Sequence, residues 1–125
     1  MNILLVDDEE ELVSTLAERL GFRGLEAQWA TSAEQAMKKI ENHHFNVAVL
    51  DVKMPRISGL ELMDMIRQKH PDMKFIFLTG HGSQADFQQG CSCGACFYLI
   101  KPVRIDDLVK KINEAMGQPP ACPKN

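Results

Sequence analysis

No apolar run in the sequence exceeds six residues, and Ile3 to Val6 and Phe75 to Leu78 are typical of those present. A membrane helix needs about 20 such residues, so no spanning segment and no membrane partner are expected. Basic clusters are equally scarce, since Lys and Arg never run beyond the pairs Lys38-Lys39 and Lys110-Lys111. With 14 Lys+Arg against 17 Asp+Glu, a net charge of −3 and a pI near 5.8, the chain lacks the electrostatic footprint of direct nucleic-acid binding. DNA contact would belong to a partner or to a further domain. The amino terminus passes from Met1 straight into an apolar strand, without a positive n-region or a cleavage site, which predicts no signal peptide and a cytoplasmic location. No internal repeat is visible. No His-x-x-His pair falls on a helix, and the cysteines do not follow the paired C-x-x-C spacing of a structural zinc site.

What is present is 125 residues, 45% hydrophobic and 25% charged, enough for one core that buries about two-thirds of the unfolded surface. Residues 1–117 read as one domain and 118–125 as a Pro-rich tail or the start of a linker. Continuous apolar runs at Ile3 to Val6, at Val47 to Leu50 and at Phe75 to Leu78 within a strand from Lys74 to Leu78 suit strands buried on both faces. A weaker strand covers Glu26 to Ala30, and Cys96 to Ile100 makes a fifth. Helical spacing separates them. Leu12, Val13, Leu16 and Leu20 form one stripe, with Gly21 as the expected stop, and Thr31-Ser32-Ala33-Glu34 reads as a capping box before Ala36, Met37 and Ile40. Leu60, Met63 and Ile66 mark a third helix, 83–89 a short fourth, and Ile105, Leu108, Val109 and Ile112 a last one. Parallel strands need crossover connections and this alternation supplies them. The expected fold is therefore α/β, a doubly wound sheet of five parallel strands.

In such a sheet the carboxyl ends of the strands share one edge, where ligands bind. Asp7 and Asp8 follow the first strand, Asp51 the third, Thr79 the fourth and Lys101 the fifth. Carboxylates brought that close repel and raise one another's pKa unless a cation compensates. Oxygen ligands and an exposed site suit Mg²⁺, which keeps several waters and uses one or two carboxylates with phosphate oxygens. A carboxylate, a fixed ammonium and a hydroxyl beside Mg²⁺ equip the edge for phosphoryl transfer, with Asp51 as nucleophile, Lys101 holding equatorial oxygens and Thr79 donating a hydrogen bond.

Val6-Asp7-Asp8-Glu9, the run Leu50-Asp51-Val52-Lys53-Met54-Pro55 with Gly59 behind it, Leu78-Thr79-Gly80 and Tyr98-Leu99-Ile100-Lys101-Pro102 together resemble a bacterial two-component response-regulator receiver domain, from Asn2 to about Gly117. The flavodoxin-like (βα)5 form and the strand order 2-1-3-4-5 come with that likeness. The resemblance implies that Asp51 takes a phosphoryl group from a phosphohistidine on a sensor histidine kinase or phosphotransfer protein. It implies Mg²⁺ on Asp8, Asp51 and the backbone carbonyl of Lys53, with Asp7 acting mostly through water. It further implies a switch in which Thr79 moves toward the phosphoryl group and Tyr98 turns inward. The face of the fourth helix, fifth strand and fifth helix then changes shape for a downstream output domain or protein, and homodimerisation through that face follows the same likeness. The Lys101-Pro102 bond is expected in cis. On this reading the chain is a self-phosphorylating and self-dephosphorylating switch and no enzyme of external turnover.

Two other readings stand beside it. A protein-interaction module with vestigial phosphorylation would not need the intact Asp7, Asp8, Asp51, Thr79 and Lys101 set. An aspartyl-phosphate phosphatase would resemble an Asp-x-Asp pattern, and Lys53 occupies its second position. Cys91, Cys93 and Cys96 depart from the family pattern, read either as half-buried thiols or as a metal or redox element beside the output face. His81 and the Lys53 side chain are candidates to tune phosphoaspartate hydrolysis. The sequence does not separate a stand-alone regulator from a receiver within a longer chain.

Overall fold

Strand β1 (Asn2–Val6) sets the architecture, because Ile3, Leu4, Leu5 and Val6 are all 0–1% exposed although successive side chains leave a strand on opposite faces. Both sides of the sheet must then be covered. In a computed structural model, which describes residues 1–80 and 97–117, the chain continues through α1 (Glu10–Phe22), β2 (Glu26–Ala30), α2 (Ala33–Asn42), β3 (Val47–Asp51), α3 (Gly59–Lys69) and β4 (Lys74–Thr79). It ends with β5 (Phe97–Ile100) and α4 (Ile105–Met116). Every pairing is parallel and the order is β2-β1-β3-β4-β5, as the resemblance implies. No helix among the described residues is long and apolar enough to cross a membrane.

Strand alternation divides the interior in two. Leu4, Val6, Ala48, Leu50, Phe75 and Phe77 meet the buried stripes of α2 and α3. Ile3, Leu5, Val47, Val49, Ile76 and Leu78 meet those of α1 and α4. Helix α3 is drawn hard against the end of β3: the Gly59 N–H donates to the Val52 carbonyl at 2.9 Å, and a Cβ on Gly59 would overlap the Asp51 carbonyl. Only glycine allows that approach. Before it, the Ile57 N–H donates to the Pro55 carbonyl at 2.8 Å around Arg56, whose φ is 74°.

Helix ends depart from the sequence reading in small, explicable ways. Gly21 lies inside α1, and the stop is Gly24 at φ 84°. The Leu25 N–H reaches back to the Leu20 carbonyl at 3.0 Å and that of Gly24 to Gly21 at 3.1 Å, a Schellman closure that needs left-handed backbone. The cap of α2 is Ser32 rather than Thr31, with Gln35 in place of Glu34: Gln35 N–H donates to Ser32 Oγ, and Gln35 Oε1 accepts from the Thr31 N–H. Helix α3 carries a full capping box between Ser58 and Glu61. It also buries Leu62, while Leu60 packs at the margin. The expected helix at 83–89, residue Cys96, the group Cys91, Cys93 and Cys96, His81 and the tail 118–125 lie outside the described residues.

Candidate functional site

The hydrogen-bond ladder of the sheet runs one step past its strands and delivers the polar residues to the carboxyl edge. Asp7 N–H donates to the Ala30 carbonyl at 3.2 Å, Val52 N–H to Leu78 at 3.0 Å and Lys101 N–H to Thr79 at 2.8 Å. Asp7, Val52 and Lys101 are thereby tied to the sheet's own geometry, and Lys53 follows directly on Val52. The Lys101-Pro102 peptide bond is cis.

Three carboxylates converge there: one oxygen each from Asp7, Asp8 and Asp51 lie within 4.8 Å of one another. Asp7 is 1% and Asp51 4% exposed, whereas Asp8 faces solvent. Asp51 Oδ1 accepts a hydrogen bond from the Lys53 N–H at 3.3 Å, and the Lys53 side chain is exposed. Lys101 Nζ stands 2.8 Å from Asp7 Oδ2, 3.2 Å from Glu9 Oε1 and 3.5 Å from Asp51 Oδ2. Lys101 is thus the partner of the buried Asp7 Oδ2. Thr79, fully buried at the end of β4, has no hydrogen-bond partner for its hydroxyl among the described residues.

The electrostatics follow from burial and crowding. Loss of water, then the charge of Asp7, push Asp51 from the usual 3.8 up to about 7, against the pull of Lys101 and the Lys53 N–H. Burial likewise raises Asp7, opposed first by the Lys101 ammonium beside it. For Lys101, burial alone would lower the ammonium; Asp7, Asp51 and Glu9 overcome it and hold the group above the ordinary lysine value. One ammonium thus serves a site with more negative charge than it can neutralise.

The family model for the response regulator receiver domain matches residues 3–113. The chain belongs to that family. Receivers are signalling switches of two-component systems, which accept phosphoryl groups from histidine kinases. The two-component response regulator PhoP of Pseudomonas aeruginosa is 32% identical over 113 residues, 90% of this chain and 50% of PhoP. Response regulator MprA of Mycobacterium leprae is 32% identical over 112 residues, 90% of this chain and 49% of MprA. The chain thus spans about half the length of these regulators. Among solved structures, a receiver domain from Clostridium thermocellum superposes with a TM-score of 0.84 at 34% identity, covering 92% of this chain and 93% of that one. A CheY-like receiver from Methanospirillum hungatei gives 0.83 at 36% identity, covering 92% of each.

Within the receiver, Asp7, Asp8, Asp51 and Lys101 come together, and Thr79 closes the neighbouring strand. Tyr98 pairs with Phe77 and Ile100 with Thr79 across the ladder, so Tyr98 and Thr79 share one face of the sheet. Tyr98 is 37% exposed in this structure. The residue that sequence reasoning passes over is Glu9, present within a motif and otherwise one more acid near the start of α1. Its contact with Lys101 spans 92 positions, and no local spacing announces such a pair.

Proposed function

We propose that residues 1–117 form a phosphoacceptor receiver whose nucleophile is Asp51, with 118–125 a Pro-rich tail or the start of a linker. The observation that carries the proposal is the pairing of a buried Asp51 carboxylate, 3.5 Å from Lys101 Nζ, with a buried Thr79 hydroxyl that has no acceptor at rest among the described residues. A partnerless buried hydroxyl costs about 1–3 kcal/mol, and a phosphoryl oxygen at Asp51 would give it an acceptor.

The chemistry assigns each residue a task. An Asp51 carboxylate oxygen attacks the phosphorus of a kinase phosphohistidine. The new P–O bond forms as the P–N bond breaks, and the electron pair leaves with the imidazole. Lys101 pairs with a phosphoryl oxygen and Thr79 donates to another, placing fixed donors where charge develops. The donor set fits Mg²⁺: Asp8, Asp51 and the Lys53 carbonyl would hold it, with Asp7 acting through water. When bound, the ion supplies the positive charge that the three carboxylates and the phosphoryl oxygens require. Thr79 and Tyr98 then form the switch, and the face of β5 and α4 signals to an output domain or protein or to a second copy.

Intact mass after incubation with Mg²⁺ and acetyl phosphate tests this. A single adduct of about 80 Da, lost with chelator and absent from Asp51→Asn, is expected. An adduct of equal yield in Asp51→Asn, or none on reduced native protein with Mg²⁺ bound, would overturn the assignment.

A further inference from the structure

Glu9 stands where α1 begins, with the extended backbone of a helix cap (φ −89°, ψ 97°), yet its side chain makes no capping hydrogen bond. Oε1 instead lies 3.2 Å from Lys101 Nζ, while the Glu9 N–H donates to Asp7 Oδ1 at 2.9 Å. Backbone and side chain of one residue thus grip both members of the Asp7–Lys101 pair. Lys101 stands nearer Asp7 (2.8 Å) and Glu9 (3.2 Å) than Asp51 (3.5 Å), and so leans away from the nucleophile. An ammonium has three N–H donors, and three carboxylates already face it. A phosphoryl oxygen on Asp51 takes over the Asp51 contact and competes for the ammonium with the other two carboxylates. Glu9, with a side chain 63% exposed, regains water when released, whereas Asp7, 1% exposed, cannot.

We propose that Glu9 is a positioning residue that holds the Lys101 ammonium in its resting place and lets it go when a phosphoryl group on Asp51 claims it. The proposal rests on the phosphoacceptor reading and deepens it. Removing Glu9's charge lowers the cost of forming the Lys101–phosphoryl pair. Shortening it to Asp keeps the charge near Lys101 and restores part of the restraint.

The test uses the full chain as Glu9→Gln, Glu9→Asp and, as a control for charge alone, Glu10→Gln. Labelling by acetyl phosphate with Mg²⁺ and affinity for beryllofluoride are both expected to rise about two- to fivefold in Glu9→Gln, the range of an exposed ion pair. Glu9→Asp should fall between that variant and the native chain, Glu10→Gln should match the native chain, and the Glu9 effect should vanish in a Lys101→Gln background. An equal effect from Glu10→Gln, or one that survives Lys101→Gln, would show a general charge effect and overturn the proposal. A metal-free readout separates it from the reading beneath it: the Lys101 Nζ resonance should move in Glu9→Gln and stay in Glu10→Gln. If the native chain takes no Asp51-dependent phosphate, the phosphoacceptor reading fails by itself, and an unmoved Lys101 resonance is what would sink the role of Glu9.

Discussion

At the amino edge of the sheet, Asn2 N–H donates to Asn46 Oδ1 at 2.9 Å, Asn46 N–H to the Asn2 carbonyl at 2.8 Å and Lys74 N–H to the Asn46 carbonyl at 3.0 Å. Asn2 Nδ2 adds a bond to the His44 carbonyl at 3.2 Å. At the carboxyl edge of the same strands, Thr79 Oγ1 has no partner among the described residues, three carboxylates share the Lys101 ammonium, and Asp51 is pushed up to about 7. One edge stitches its polar groups together, and the other leaves them wanting. The difference shows where this sheet is built for cohesion and where it is built to bind.

The contrast breaks most completely at Asp51. Its folded value of about 7 lies above the usual 3.8, so its contribution to stability is fully present below about pH 4 and lost as pH rises through about 7. Chelator-treated native protein should weaken across that window. Asp51→Asn, which does not titrate there, should lose phosphorylation and yet be more stable at pH 8 by about 2–4 kcal/mol. Urea unfolding of both proteins at pH 5 and pH 8 measures the difference, and equal stability at pH 8 would mean that the edge holds no uncompensated charge.

Thr79→Val sharpens the contrast at a neutral group. Losing a buried hydroxyl without a partner should raise stability by about 1–2 kcal/mol, while acetyl phosphate labelling slows roughly 10- to 100-fold for want of a donor. A variant that is destabilised would show that the hydroxyl is satisfied at rest.

Asn46→Ala makes the opposite case at the amino edge. It strands the Asn2 N–H, and a loss of about 1–2 kcal/mol in urea unfolding is expected with labelling by acetyl phosphate unchanged. A labelling defect there would erase the division between the two edges.

The elements and the site are legible in the sequence to different depths. Strands β1, β3 and β4 declare themselves by uninterrupted apolar runs, since burial on both faces leaves no room for polar alternation. Asp7, Asp51, Thr79 and Lys101 follow from the rule that strand ends share an edge. Strand order comes only with the family likeness. Gly24, Ser32 and Leu62 escape the pattern by one turn or less, because a cap is decided by φ and hydrogen bonds while a shift of one residue barely alters the pattern of residue types. Glu9 is hidden for a different reason. Its partner lies across the sheet, and an acid next to two acids looks alike whether it caps, pairs or simply faces water.

Asp51 and Thr79 end adjacent strands, but they stand on opposite counts of the alternation. Asp51 continues the series of Val47 and Val49 toward α1 and α4, and Thr79 that of Phe75 and Phe77 toward α2 and α3. The carboxylate and the hydroxyl are therefore spokesmen for different layers, and any event that draws them together sets the two layers in conversation. Strand length becomes a form of spelling: one residue added to β4 or removed from it would turn the hydroxyl to the wrong layer without altering a single functional group.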